Sequence, residues 1–201
     1  YCNAKVIVMN QYFIKYKYLV LHLMVLILGF TGILGELISI KAIDLVFYRM
    51  LFAFLSLFLF VYYKKEIFSL NKKKVIELLI IGMVVALHWI FFFESIKISV
   101  PIAVISLSTS SLFSSIIEPI ILRKKVHQYE VILGIVIILA FFMMYQTSEQ
   151  TVSLAYFYGI ISAFLATLFT ILNAKYIENT KSYHITMVEM LGGTILISIY
   201  F

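Results

Sequence analysis

The sequence predicts an all-α, polytopic transmembrane helix bundle, and three observations carry that expectation. Hydrophobic residues fill 63% of the 201 positions and charged residues only 13%, with a mean hydropathy of +1.06. A soluble domain is about half apolar and about a quarter charged, so a water-exposed surface cannot be built from this chain. Long apolar runs recur from end to end, and most of the charges gather in the short segments between them. A bilayer span needs about 20 apolar residues, which leaves room for roughly seven spans.

The runs place spans near 18–40, 43–63, 75–96, 101–122, 129–146, 154–177 and 183–201. The first outlasts the roughly 7–15 residue core of a cleavable signal, and no A-x-A-like site follows it, so it is retained. The chain opens on Tyr1, and Met9-Asn10-Gln11 begins the stretch that leads into the span, so residues 1–8 are set aside as a non-native leader. The second and third spans are separated by a lysine cluster, and the fourth is rich in hydroxyls and closes on Glu118-Pro119. The fifth ends before the 147–153 connection, and the sixth carries a stripe of small residues. The seventh runs into Phe201 without a basic anchor, which reads as a truncated chain. The one cysteine, Cys2, forms no intramolecular disulfide and says nothing of redox compartment.

The formal net charge of +6 does not mark a nucleic-acid binder, because the cations sit in loops between spans. They are topology signals. Lys5, Lys15 and Lys17 precede the first span; Lys64, Lys65, Lys72, Lys73 and Lys74 follow the second. Arg123, Lys124 and Lys125 follow the fourth, and Lys175 and Lys181 follow the sixth. Lys41 and Lys97 stand on the other side, where the 147–153 connection offers Glu149 and no cation. Cytoplasmic loops carry the Lys/Arg excess, so the N-terminus is expected in the cytoplasm. Short loops and the lack of a cleavable signal fit a cell membrane of the bacterial inner-membrane kind.

Tyr48-Arg49-Met50-Leu51 echoes Val188-Glu189-Met190-Leu191 at an offset of 140 residues. Five spans lie in that offset, and an odd number inverts the second unit, an arrangement characteristic of secondary transporters. Gly29-Phe30-Thr31-Gly32, Tyr48-Arg49-Met50, Ala86-Leu87-His88-Trp89 and Glu94-Ser95 belong to a wider pattern. It continues through the serine-rich fourth span with Glu118-Pro119, the turn Arg123-Lys124-Lys125, and Tyr129-Glu130 with Gly134. This pattern resembles the EamA-type carriers of the drug/metabolite transporter superfamily. The resemblance implies ten helices in two inverted five-helix repeats. Residues 9–148 would then form the first repeat and 152–201 a partial second repeat, with helices 8 to 10 absent.

Ionisable groups inside hydrocarbon are costly and therefore functional candidates. Glu36, Arg49 and Glu94 fall at similar depth toward the outer side, so an Arg–carboxylate cluster is geometrically possible. Arg49 either holds an anionic substrate group with a bidentate geometry that lysine does not offer, or forms a fixed ion pair. His88 is either a proton-coupling group or a neutral ring hydrogen-bonded to another helix. Ser111, Ser114 and Glu118 share one helix face, which lines a cavity or satisfies the backbone. Pro119 kinks its helix or ends it. Gly159, Ala163, Ala166, Thr170 and Asn173 read as a close-packing face, as do Gly29, Gly32 and Gly35. Glu189 is a weaker site candidate.

No nucleophile elbow, zinc motif or phosphate-binding loop appears, so the chain reads as no enzyme and no ATP-driven pump. The leading expectation is a secondary carrier of a small metabolite or amino acid by alternating access. A truncated, non-transporting membrane protein that associates with a partner and an intramembrane enzyme stand as alternatives. The expected partners are the lipid bilayer and a small-molecule substrate, with a homodimer left open and nucleic acid excluded. No cofactor and no metal are expected.

Overall fold

The computed structural model describes residues 16–65, 70–123, 128–147, 152–176 and 180–200. The leader assigned to residues 1–8, Lys5, Lys15, Lys124, Lys125 and Glu149 lie outside the described residues. The chain forms two units, Tyr1–Ile38 and Ser39–Phe201.

The described part of the first unit is one helix, α1, Lys17–Leu37. Its apolar side chains are largely exposed, as hydrocarbon-facing groups are, and His22 Nδ1 lies 2.6 Å from the Tyr18 carbonyl one turn back. A Cβ placed on Gly29 would meet open space rather than a packing partner.

The second unit is a bundle of α2 (Ala42–Tyr63), α3 (Lys72–Ile98), α4 (Val100–Ser108), α5 (Ser110–Leu122), α6 (Gln128–Thr147), α7 (Ser153–Ala174) and α8 (Ser182–Ser198). Local chemistry sets the ends. Asp44 in the first turn of α2 complements the helix dipole. The Asn71 side chain accepts the Lys73 N–H at 3.4 Å and caps α3. Extended backbone at Ser99 parts α3 from α4, and Pro101 falls in the first turn of α4, where its missing N–H costs nothing. Arg123 ends α5 in the left-handed conformation with φ 53°.

The fourth span is not one helix. It breaks at Thr109, whose N–H and hydroxyl both donate to the Ser106 carbonyl, at 3.1 and 2.6 Å. Ser108, Ser111 and Ser115 likewise return their hydroxyls to carbonyls three residues back. Such bonds tighten and bend a helix, so the same hydroxyls that marked the span also divide it. Pro119 does not end α5, which continues to Leu122.

Among the described residues, five helical stretches are long and apolar enough to cross a bilayer: Lys17–Leu37, Ala42–Tyr63, Lys72–Ile98, Val100–Leu122 and Ser153–Ala174. The expected fifth span is α6, a helix of 20 residues, and the expected seventh is α8, of 17 residues, interrupted by His184, Thr186 and Glu189. These polar groups are tolerated because α8 packs among other helices, with His184 and Glu189 buried.

The long helix α3 is the centre of the bundle. It packs chiefly on α7 and α8, while α2 also packs on α8, α4 and α5 on α7, and α6 on α5. Its core contains Val46, Met50, Val85, Phe93, Ile96 and Val188. Two glycines let backbones touch: a Cβ on Gly82 of α3 would fall on the Glu189 carbonyl, and one on Gly192 of α8 on the Leu79 carbonyl. Without a hydrophobic force to join helices inside lipid, such close approach is a main source of packing energy. The small-residue face of α7 acts similarly, with Gly159 against Ser106 and Ala163 buried, whereas Thr170 is exposed and bonds its own helix at the Ala166 carbonyl.

Candidate functional site

The α3–α7 interface is tied by polar contacts that reach across it. Near the Ser99 end, the Ser95 hydroxyl donates to the Ala155 carbonyl at 2.7 Å. At mid-helix, His88 Nδ1 lies 2.8 Å from the Ser162 carbonyl and 2.9 Å from the Ser162 hydroxyl oxygen. A carbonyl only accepts, so this contact assigns a proton to Nδ1. The ring is enclosed by Trp89, Phe92 and Phe169 at centroid distances of 5.3, 6.1 and 5.5 Å. At the lysine-rich end, the Tyr176 hydroxyl donates to the Glu77 carboxylate. Tyr176 stands just past α7, and burial, followed by the bond to Glu77 and its charge, pushes its phenol up to about 12.

Arg49 of α2 meets the neighbouring face of α3, at Trp89. Its guanidinium carbon sits 4.1 Å from the Trp89 ring centre and 5.4 Å from that of Phe93. The aromatic rungs come from α3 at a spacing of four, so one helix face presents both. Arg49, Val46, Met50, Ala53, Trp89 and Met190 line a cavity of about 180 Å³ between α2, α3 and α8. Among the described residues of this unit no carboxylate pairs with Arg49. Glu94 follows Phe93 by one residue, about 100° around the helix, and is not its partner. Arg49 and Glu94 are thus not brought together. Glu36 is exposed in the last turn of α1, within the first unit.

A second concavity, of about 310 Å³, lies between α5 and α7 and is lined by Ser110, Ser111, Ser114, Thr167 and Thr170 with Ala166 and Ile171. The Thr167 hydroxyl donates to the Ser110 carbonyl at 3.1 Å and holds the two helices at this point. Ser111 faces the groove while its hydroxyl bonds the Ser108 carbonyl, and Ser114 donates to the Glu118 carboxylate at 3.3 Å. The hydroxyls therefore both satisfy the backbone and line a cavity. A third groove, apolar and about 610 Å³, runs between α2 and α8 and has Tyr62 and Lys65 at one end.

Ser162, Glu77 and Tyr176 carry no signal in the sequence that marks them as partners in the site, and Ser95 and Trp89 enter there only as parts of a family pattern. Partners of His88 and Glu77 lie 74 and 99 residues away, and no periodicity within one helix announces them.

The EamA-like transporter family matches residues 15–146 of the chain, which takes in α1 to nearly the end of α6. No curated protein and no solved structure matches it.

Proposed function

The chain belongs to the EamA-like transporter family, and on that premise we propose that it is a secondary carrier of a small polar metabolite or amino acid, working by alternating access. It is a multi-pass membrane protein of a transporter family rather than of an enzyme family. The observation that carries the reading is Arg49, a guanidinium at the wall of a cavity of about 180 Å³, braced on Trp89 and free of an ion pair among the described residues of its unit. A guanidinium without a counter-ion keeps its planar fork of N–H donors for an anionic group such as a substrate carboxylate. An intramembrane cation facing a cavity is a common mark of a substrate path.

In this reading the hydroxyl-lined groove with Ser111 and Ser114, the latter bonded to Glu118, is a second polar surface on the path, and His88, Glu94 and Glu118 are candidate proton sites. Residues 9–148 act as one repeat and 152–201 as the beginning of its inverted counterpart, each moving against the other. The lysine-rich ends of α2, α3 and α5 lie on the cytoplasmic side of a bacterial inner membrane, with the N-terminus there too. The apolar groove between α2 and α8 favours a second reading, in which this face receives another membrane chain, including a second copy.

Uptake of radiolabelled small anions and amino acids into vesicles containing the complete protein tests the carrier. Loss of uptake in Arg49→Ala with membrane insertion intact is the expected result; unchanged kinetics would remove Arg49 from the substrate path. Crosslinking through the α2–α8 groove to a larger complex, with no transport of any solute, would favour the second reading.

A further inference from the structure

The bundle buries a carboxylate that lines neither the Arg49 cavity nor the hydroxyl-lined groove. Glu189 of α8 is only 5% exposed, and its backbone carbonyl lies against Gly82 of α3. The Asn173 amide of α7 is its hydrogen-bond partner. One carboxylate oxygen, Glu189 Oε1, and the amide oxygen, Asn173 Oδ1, are nevertheless both buried without a partner. Both are acceptors, so neither can satisfy the other while the carboxylate is ionised.

The charged and titratable groups on the neighbouring helices are engaged elsewhere or stand toward helix ends. On α3, Glu77 takes the Tyr176 hydroxyl and His88 is bound to Ser162. On α2, Arg49 lies on Trp89, and Asp44 sits in the first turn. Lys72, Lys73 and Lys74 begin α3, and Glu94 and Lys97 fall near its end. On α8 itself, His184 packs against Tyr183 at a centroid distance of 4.8 Å. Among the described residues none forms an ion pair with Glu189, and an unpaired carboxylate at this burial is strongly disfavoured.

A hard cation would need about six oxygens, and only two unsatisfied ones are on offer. A single hydrogen completes both. We propose that Glu189 and Asn173 form a proton-binding site. A proton from the aqueous phase adds to Oε1, and the new O–H donates to Asn173 Oδ1. The Asn173 N–H continues to donate to the other carboxyl oxygen, which closes an acid–amide pair. Release reverses the step and returns the proton to water. That this proton is the coupling ion rests on the carrier reading; that the site binds one does not.

Infrared difference spectroscopy of the full chain in lipid nanodiscs, titrated with pH, tests the site. The expected result is a protonated-carboxyl C=O band at neutral pH that disappears in Glu189→Gln. The same band should move to higher frequency in Asn173→Leu, because its hydrogen bonds are lost. Gln keeps the shape of the side chain and an N–H that can donate to Asn173, so the bundle has no new burden. If Glu189→Gln nevertheless fails to insert, the frequency shift in Asn173→Leu decides alone. A band that survives in Glu189→Gln, a band unmoved in Asn173→Leu, or a carboxyl response that follows sodium concentration instead of pH would overturn the proposal. The signal does not depend on transport, so failure of the carrier reading leaves this test intact.

Discussion

The Arg49 guanidinium lies 4.1 Å from the centre of the Trp89 ring, so the cation of α2 is seated on an aromatic face of α3 instead of on a carboxylate. A ring face attracts the cation without occupying its N–H fork, which leaves the donors available to a ligand. The arrangement holds the charge at the cavity wall in a protein that offers it no counter-ion among the described residues of the unit.

Trp89→Leu is therefore expected to weaken substrate handling without removing the charge. A cation–π contact contributes about 0.5–2 kcal/mol, which corresponds to roughly a 2- to 30-fold change in an equilibrium constant. The expected outcome in vesicle uptake is a raised KM, with Arg49→Lys intermediate between the parent protein and Arg49→Ala. Equal kinetics in the parent and Trp89→Leu would show that the ring only packs.

The His88–Ser162 contact predicts an asymmetry between its two partners. Ser162→Ala keeps the backbone carbonyl that accepts from Nδ1 and should cost only on the order of 0.6 kcal/mol. His88→Ala removes the ring from among Trp89, Phe92 and Phe169 as well as the bond, so a cavity adds to the loss. Thermal unfolding in detergent should show a clearly larger drop for His88→Ala, and equal drops would count against the carbonyl as the main partner.

Glycine-to-alanine changes should divide by position. In Gly82→Ala and Gly192→Ala the new methyl would meet backbone of the facing helix, so α3 and α8 must separate, at about 1–3 kcal/mol. Gly29→Ala meets open space and should be neutral or stabilising by up to about 1 kcal/mol, since alanine is the better helix former. Ranking the three variants by melting temperature checks the crossing; an equal effect at all three would reject it.

Tyr176 predicts a late titration. Its phenol, pushed up to about 12 by burial and by Glu77, holds a proton more tightly in the folded protein than in the unfolded chain. The stability this adds is complete below the unfolded value near pH 10 and is lost as pH rises through about 12. Tyrosinate absorbance should show a late-titrating component in the parent that is missing from Tyr176→Phe, and identical high-pH limbs would contradict the Glu77 bond.

Inside single helices the sequence was a good guide, because the quantities that matter there are local. The apolar runs bounded by Lys41, Lys64 and Lys97 located α2 and α3 to within a few residues. The hydroxyls of the fourth span announced a polar surface, and Ser110, Ser111 and Ser114 do line a groove. Their effect on the helix itself, the break at Thr109, was not anticipated, since a hydroxyl shows its bond to a carbonyl only when the backbone is in place.

By itself the sequence determined that this chain is an all-α membrane bundle, because burial in hydrocarbon is settled by composition summed over about 20 residues. Tertiary structure alone decided the partner of each polar group. Arg49 meets Trp89 rather than Glu94, His88 meets Ser162, and Glu77 meets Tyr176, across separations of 40, 74 and 99 residues. Glu189 and Asn173 are each left with a buried, unsatisfied oxygen. Such pairings depend on how helices rotate and cross, which is set by shape at contacts such as Gly82 on Glu189, and no property of one helix encodes the face that its neighbour will present.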